Sequence, residues 1–223
     1  MKLTTTIARP DVALIDQLSK FSSATIHEAQ GRLGALDSVI KPIDRDMTVC
    51  GPAFTVVCAP RDNIMLQVAI SYAEPGDVIV VSAGEYTEAG SFGDVLANAC
   101  LARGIAGLVT DTGVRDTAEI RRLGLPVFSR SVSIKGTVKE TLAPLNEPVT
   151  IGGQVIRPGD IVRGDADGVV VVRREDIEFA IDSSQAREDA EAGYIELYKQ
   201  GKTPIEVSNL RPVLAAKGLL IDA

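Results

Sequence analysis

Hydrophobic and polar positions follow two rhythms along the 223-residue chain, one helical and one extended. Pro10 to Lys20 places Val12, Leu14, Ile15 and Leu18 on one side of a helix. Ser22-Ser23 offers a cap for a second helix through Thr25-Ile26-His27-Glu28-Ala29-Gln30, which Gly31 ends. Thr48 to Ala59 is β-rich, with Val49, Phe54, Val56 and Val57. Asp62 then caps a helix carrying Met65, Val68, Ala69 and Tyr72.

The central stretch is more telling. Pro75-Gly76-Asp77 is a turn that feeds Val78-Ile79-Val80-Val81, an apolar run without alternation. Such a run predicts a strand buried on both faces. A flexible loop is expected from Gly84 to Gly93, then a helix from Asp94 to Arg103. Gly107 to Thr110 is a second strand, Thr117 to Leu123 a short helix, and Leu125 to Phe128 a third strand. This βαβαβ order predicts parallel strands joined by right-handed crossovers. Later, Val149 to Ile156 reads as a hairpin about Gly152-Gly153. Pro158-Gly159-Asp160 repeats the earlier turn signature before Ile161-Val162, and Asp167-Gly168 precedes Val169 to Val172. Glu175 to Gln200 is a long polar helix with a sparse apolar stripe of Ile177, Ile181, Tyr194, Leu197 and Tyr198, followed by a Pro-containing tail. No linker interrupts the pattern, so residues 1–223 are expected to form one α/β domain with mixed sheets.

Composition narrows the function. Hydrophobic residues make up 45% of the chain, enough for one well-filled core. Basic residues number 23 against 30 acidic ones, a net charge of −7. Lys and Arg cluster nowhere beyond the isolated pairs Arg121-Arg122 and Arg173-Arg174, and Trp is absent. Nucleic acid is therefore not an expected partner. No apolar run reaches the roughly eighteen residues needed to span a bilayer, so no membrane association and a cytoplasmic location are expected. Cys50, Cys58 and Cys100 lie in apolar contexts and are expected to be buried free thiols.

Several chemistries are absent. His27-Glu28 begins like a zinc-protease motif, but Gly31 stands where the second His is needed, and His27 is the only histidine. The chain has no Walker loop, no G-x-G-x-x-G and no G-x-S-x-G. An imine-forming lysine needs a desolvated ammonium. Lys20, Lys41, Lys199, Lys202 and Lys217 sit in polar or end-of-element contexts, and Lys135 and Lys139 lie in a polar segment. Carbonyl chemistry here calls for a metal ion rather than an imine.

One constellation fits such chemistry. Gly93-Asp94-Val95-Leu96 opens a helix, and Arg115-Asp116, with twenty residues between Asp94 and Arg115, closes the next strand. Both fall at the carboxyl edge of the parallel strands, where open α/β sheets place ligands. Amides of Gly93, Val95 and Leu96 would face an anion from a helix N-terminus. Arg115 would grip that anion and offset charge on a developing enolate. Asp116 would hold a divalent cation directly, and Asp94 would orient metal-bound water. The same residues also admit a plain structural account: Asp94 as a helix cap, Thr112-Gly113 as a turn, and Arg115 and Asp116 solvated around it. A rival acidic group, Asp160, Asp165 and Asp167, reads mostly as turn chemistry.

The run from Gly93 to Asp116 resembles the class II pyruvate aldolases that cleave 4-hydroxy-4-methyl-2-oxoglutarate and 4-carboxy-4-hydroxy-2-oxoadipate. These share a fold with the RraA-like regulators of ribonuclease E. The family's mark is an acidic residue, twenty residues, then Arg-Asp, which Asp94 and Arg115-Asp116 match. The resemblance extends through Thr25 to Arg32 and Gly159 to Val170, and covers most of the chain. It implies an α-β-β-α sandwich of the swivelling-domain type, and trimers often paired into hexamers. It also implies that residues from about 175 to 223 pack on a neighbouring subunit. It implies Mg²⁺ or Mn²⁺, a pyruvate-enolate intermediate, a secondary oxaloacetate decarboxylase activity and a place in aromatic degradation. Pyruvate would lie against the Val95 and Leu96 amides, Arg115 and the metal. An acidic residue would come from a neighbour's C-terminal helix, Glu191 first and Glu188 second. The regulators lack the acidic member, so Asp94 favours the enzyme. The alternatives are a non-catalytic protein that binds ribonuclease E, and an oxaloacetate decarboxylase using the same site.

Overall fold

A computed structural model describes residues 3–219. The chain opens with α1 (Val12–Leu18) and α2 (Ser23–Ala29). Asp11 accepts the Ala13 amide and Ser22 the Thr25 amide, so both helices start on a side-chain cap. Then come β1 (Lys41–Pro42), β2 (Val49–Val57), α3 (Ile64–Tyr72), β3 (Val78–Ser82), β4 (Gly90–Phe92), α4 (Asp94–Ala102), β5 (Gly107–Val114), α5 (Thr117–Leu123) and β6 (Val127–Val132). The hairpin β7 (Val149–Ile151) and β8 (Gln154–Ile156) comes next, then β9 (Ile161–Gly164) and β10 (Val169–Val172). The chain ends in α6 (Ile177–Lys199), α7 (Pro204–Val207) and α8 (Arg211–Ala216). Residues 220–223 of the tail lie outside the described residues.

The main sheet runs β1-β6-β5-β3-β2-β9-β10, with β4 added beside β5. β2, β3, β5 and β6 pair in parallel, as the βαβαβ order predicts, whereas β9 and β10 are antiparallel. β2 serves two layers. Val49 to Pro52 pairs with β9, and Ala53 to Val57 pairs with β3. Side chains alternate accordingly. Val78, Val80, Val109, Phe128, Val162, Val169 and Val171 fill the space between the layers, joined by Ile151 and Ile156 of the hairpin. Ile79, Val81, Leu108 and Val127 point outward under α3, α4 and α5, with Met65, Ala97 and Ile120. Ile161, Val170 and Val172 point the other way under α1, α2 and α6, with Leu18, Ile26 and Ile177. Helices outside two sheet layers give the α-β-β-α sandwich. Each continuous valine run is apolar because both of its faces are covered.

The two layers meet closely at one point. A Cβ on Gly164 of β9 would lie 2.7–3.1 Å from the ring of Phe128 on β6, which is fully buried. Gly164→Ala is expected to destabilise the fold by about 1–3 kcal/mol through overpacking. An unchanged midpoint in chemical denaturation would show that the layers have slack there.

Four expectations change. The Gly84–Gly93 loop contains β4, because Gly90 and Phe92 pair with Gly113 and Val114. β5 does not stop at Thr110; it runs through a register shift to Val114, so Thr112-Gly113 is strand rather than turn. Asn63 rather than Asp62 occupies the cap position of α3, although Asp62 Oδ1 accepts the Ile64 amide at 2.9 Å. The tail forms two short helices, the first opened by a capping box between Thr203 and Glu206. The cysteines are free. Burial pushes the Cys58 and Cys100 thiols up to about 12 and Cys50 to about 11, which makes them poor nucleophiles. Among the described residues no helix is long and apolar enough to cross a membrane.

Candidate active site

The pairing of β4 with β5 builds the cleft. Phe92 ends β4, Gly93 precedes α4 in an extended conformation, and Asp94 is the first residue of that helix. Across from them β5 ends at Val114, and the Arg115 amide donates to the Phe92 carbonyl at 2.9 Å. That single bond lays Arg115-Asp116 against the start of α4. Asp116 then adopts a left-handed conformation, φ 54°, which Asp and Asn tolerate better than most residues.

Two glycines make room for this approach. A Cβ on Gly93 would meet Asp116 Oδ2 at 2.4 Å, with Arg115 Cγ and Nε at 3.2 Å. A Cβ on Gly90 would meet the Ser133 carbonyl at 2.3 Å and Arg115 Cβ at 2.9 Å. The Asp94 amide donates to Asp116 Oδ2 at 3.4 Å, and Arg115 Nε stands 3.5 Å from the same oxygen. Asp94 Oδ1 accepts the Val95 amide at 2.8 Å. The Val95 N–H is therefore engaged within the chain, while the Leu96 N–H has no acceptor among the described residues. Arg115 and Asp116 are about half exposed, with side-chain exposures of 46% and 38%.

The cleft is shallow within one chain, with a cavity volume of about 40 Å³. That is far below the roughly 300–1,000 Å³ of sites that bury drug-sized ligands, so a ligand here would remain open to solvent or to a neighbouring chain on one side. Its remaining wall is Asn63 and Ser91. The Asn63 Nδ2 donates to the Ser91 carbonyl at 3.0 Å, and its Oδ1 accepts from Gln67 at 3.2 Å. Asn63 did not emerge from the sequence, because no motif marks it and Ser91 reaches it only through the fold. Asp62 beside it is structural. Burial pushes its carboxyl up, but amides of Ile64, Glu140 and Thr141 outweigh that and hold it below its ordinary value.

The structure thus brings Gly93, Asp94, Val95, Leu96, Arg115 and Asp116 together. It does not bring Glu191 to them within one chain. Glu191 pairs with Arg187 at 2.8 Å, and Glu188 is exposed on the same helix, which packs on α1 and α2. His27 lies elsewhere on α2, with Nδ1 2.9 Å from the Leu33 carbonyl. Two members of the rival acidic group are occupied by structure. Asp160 holds the Arg157 amide and the Arg173 guanidinium, and Asp165 holds Ser23 through its amide and hydroxyl. Among the described residues no three His, Cys, Asp or Glu side chains converge as a ready-made metal cage. Asp116 with Asp94 is a different donor set: one or two carboxylates, with water and substrate oxygens completing the shell, which suits Mg²⁺.

A family profile described as RraA-like, Aldolase/RraA, matches residues 13–171. This chain belongs to the RraA-like family. It is 36% identical over 183 residues to a Halalkalibacterium halodurans protein provisionally named 4-hydroxy-4-methyl-2-oxoglutarate aldolase, covering 82% of this chain and 87% of that one. Among solved structures it is similar to Streptomyces coelicolor RraAS2, described as an unusual member of the RNase ES inhibitor RraA protein family. The TM-score is 0.75 and the identity 31%, over 87% of this chain and all of that one. An uncharacterised protein from Pseudomonas syringae pv. tomato gives a TM-score of 0.77 at 26% identity, over 90% and 99% of the two chains. The RraA-like family thus includes both an aldolase name and an inhibitor name, and the cleft must separate them.

Proposed function

We propose that this protein is a divalent-metal-dependent pyruvate aldolase, a carbon–carbon lyase acting on 4-hydroxy-2-oxo di- and tricarboxylic acids. The observation that carries the reading is the meeting of Asp94, Arg115 and Asp116 at the start of α4. The carboxylates of Asp94 and Asp116 there would otherwise repel an anionic substrate. With Mg²⁺ or Mn²⁺ held by Asp116, and by Asp94 through water, the ion supplies Lewis-acid stabilisation of an enolate oxygen.

The chain's own groups do the rest. Arg115 and the free Leu96 amide bind the 2-oxo acid's carboxylate and fix its plane. The Val95 amide joins them once substrate displaces the Asp94 carboxylate. That release frees Asp94 to act on the substrate side. A carboxylate takes the C4 hydroxyl proton, the C3–C4 bond breaks, and its electron pair becomes the pyruvate enolate. Arg115 offsets the enolate charge until C3 is protonated. C4 leaves as the carbonyl carbon of the second product. The same enolate chemistry supports oxaloacetate decarboxylation. We further propose that the active unit is a trimer or a pair of trimers, in which α6 of one copy brings Glu191, or Glu188, to its neighbour's cleft.

The deciding experiment is pyruvate release from 4-carboxy-4-hydroxy-2-oxoadipate and 4-hydroxy-4-methyl-2-oxoglutarate in the presence of Mg²⁺. Release from either is expected. Release from neither would leave the inhibitor reading, which the likeness to RraAS2 supports.

A further inference from the structure

An aldolase that cleaves diacids must hold the far end of its substrate as well as the pyruvate end, and a role for the cleft mouth rests on that aldolase reading. Two exposed cations, Arg61 and Lys135, belong to segments that are joined by backbone hydrogen bonds to the cleft walls, although neither side chain lines the cleft itself. The Arg61 carbonyl accepts the Val138 amide at 2.8 Å, and the Asn63 amide donates to the Val138 carbonyl at 3.1 Å. Segments 61–63 and 135–138 therefore run side by side. Asn63 forms the cleft wall, and Arg61 is two residues away, at most about 7 Å of backbone. The Lys135 carbonyl accepts the Gly90 amide at 2.8 Å, and Gly90 lies directly under Arg115. The backbone of each cation is thus tethered next to a wall of the cleft.

The two also sense one another. The Glu88 hydrogen bond raises the Lys135 pKa, and the Arg61 charge pulls the other way. Lys135 is paired with Glu88, whereas Arg61 makes no ion pair among the described residues. Arg61 also has φ 61°, a left-handed backbone that glycine would adopt without strain. Strain retained at a cleft mouth is a pointer to function rather than to stability. The electrostatic need is plain. The chain carries a net charge of −7, and Asp94 and Asp116 face the cleft, so a second substrate carboxylate enters against repulsion unless cations meet it.

We propose that Arg61 and Lys135 form a cationic rim that binds the distal carboxylate of the substrate and so selects di- and triacids over monoacids the size of pyruvate. Glu88 competes for Lys135 until that carboxylate arrives.

The test combines Arg61→Gly, which removes the charge and relieves the backbone, with Lys135→Gln. Two readouts are compared in the Mg²⁺-loaded protein: cleavage of 4-carboxy-4-hydroxy-2-oxoadipate, and exchange of pyruvate methyl protons with D₂O. Loss of two exposed charge contacts is expected to lower kcat/KM for the triacid about tenfold, mostly through KM, and to slow exchange far less. Lys135→Arg should restore most of the loss. Glu88→Gln should lower KM, a direction that mere damage to the fold would not give. An unchanged KM in the double variant, or an equal fall in both readouts, overturns the rim alone. A wild type that neither cleaves nor exchanges overturns the aldolase reading, and the rim with it.

Discussion

Arg115→Ala is expected to lower kcat/KM for pyruvate release by about 10²–10³-fold, the cost of losing one pre-organised group that faces developing negative charge. Arg115 is held in place from both sides: its amide is fixed by Phe92, and its side chain lies over Gly90 and Gly93. It is therefore aimed before substrate arrives. Oxalate, a planar mimic of the enolate, should inhibit the wild type competitively and the variant much more weakly. Arg115→Lys should recover little, since an ammonium cannot make the two parallel bonds of a guanidinium. The same variant tests the shared site. Mixed with inactive Glu191→Ala subunits it should regain some activity, because a mixed oligomer can hold one cleft with both residues intact. If Arg115→Ala turns over at the wild-type rate, the solvated-turn account of this loop is correct.

Chelation is expected to abolish activity altogether. EDTA should stop pyruvate release, and Mg²⁺ or Mn²⁺ should restore it. Asp116→Asn should raise the metal concentration needed, and asparagine suits the test because it also tolerates the left-handed backbone at this position. Borohydride added with pyruvate should leave the protein's mass unchanged. The reason lies in the lysines. Lys135, the lysine tethered beside the cleft, is exposed and its pKa is raised by the Glu88 hydrogen bond, which disfavours the neutral amine that imine formation needs. A covalent adduct on any lysine, or full activity in EDTA, would exclude the mechanism.

What could be read in the sequence depended on whether the signal was local. Val78 to Val81 and Val169 to Val172 announced strands covered on both faces, and Thr117 to Leu123 forms a helix with the bounds its pattern suggests. The layered fold emerges from such runs. β4 was not legible. Gly90-Ser91-Phe92 is short and flanked by loop, and it becomes a strand only because β5 extends past its apolar stretch to meet it. Asp94 and Arg115-Asp116 stood out by spacing, and the structure sets them against one another. Asn63 gave no such sign, since its partner Ser91 lies 28 residues away in the chain. The start of α7 carries a local signal: Thr203-Pro204-Ile205-Glu206 is a capping box with proline in the first turn.

Every residue assigned to the cleft and its rim within one chain falls between Arg61 and Lys135, whereas β9, β10, α1 and α2 cover the other side of the sandwich, and α6 enters the chemistry only through the carboxylate proposed to reach a neighbour. Within one chain, the cleft's chemistry is thus a single continuous cassette. Exchanging that cassette would change the cleft while leaving the second sheet layer untouched. Such a transplant has a narrow requirement at its seams. Glycine must travel at positions 90 and 93, because any side chain there would push the arginine off the helix start and leave a well-folded protein with nothing to grip.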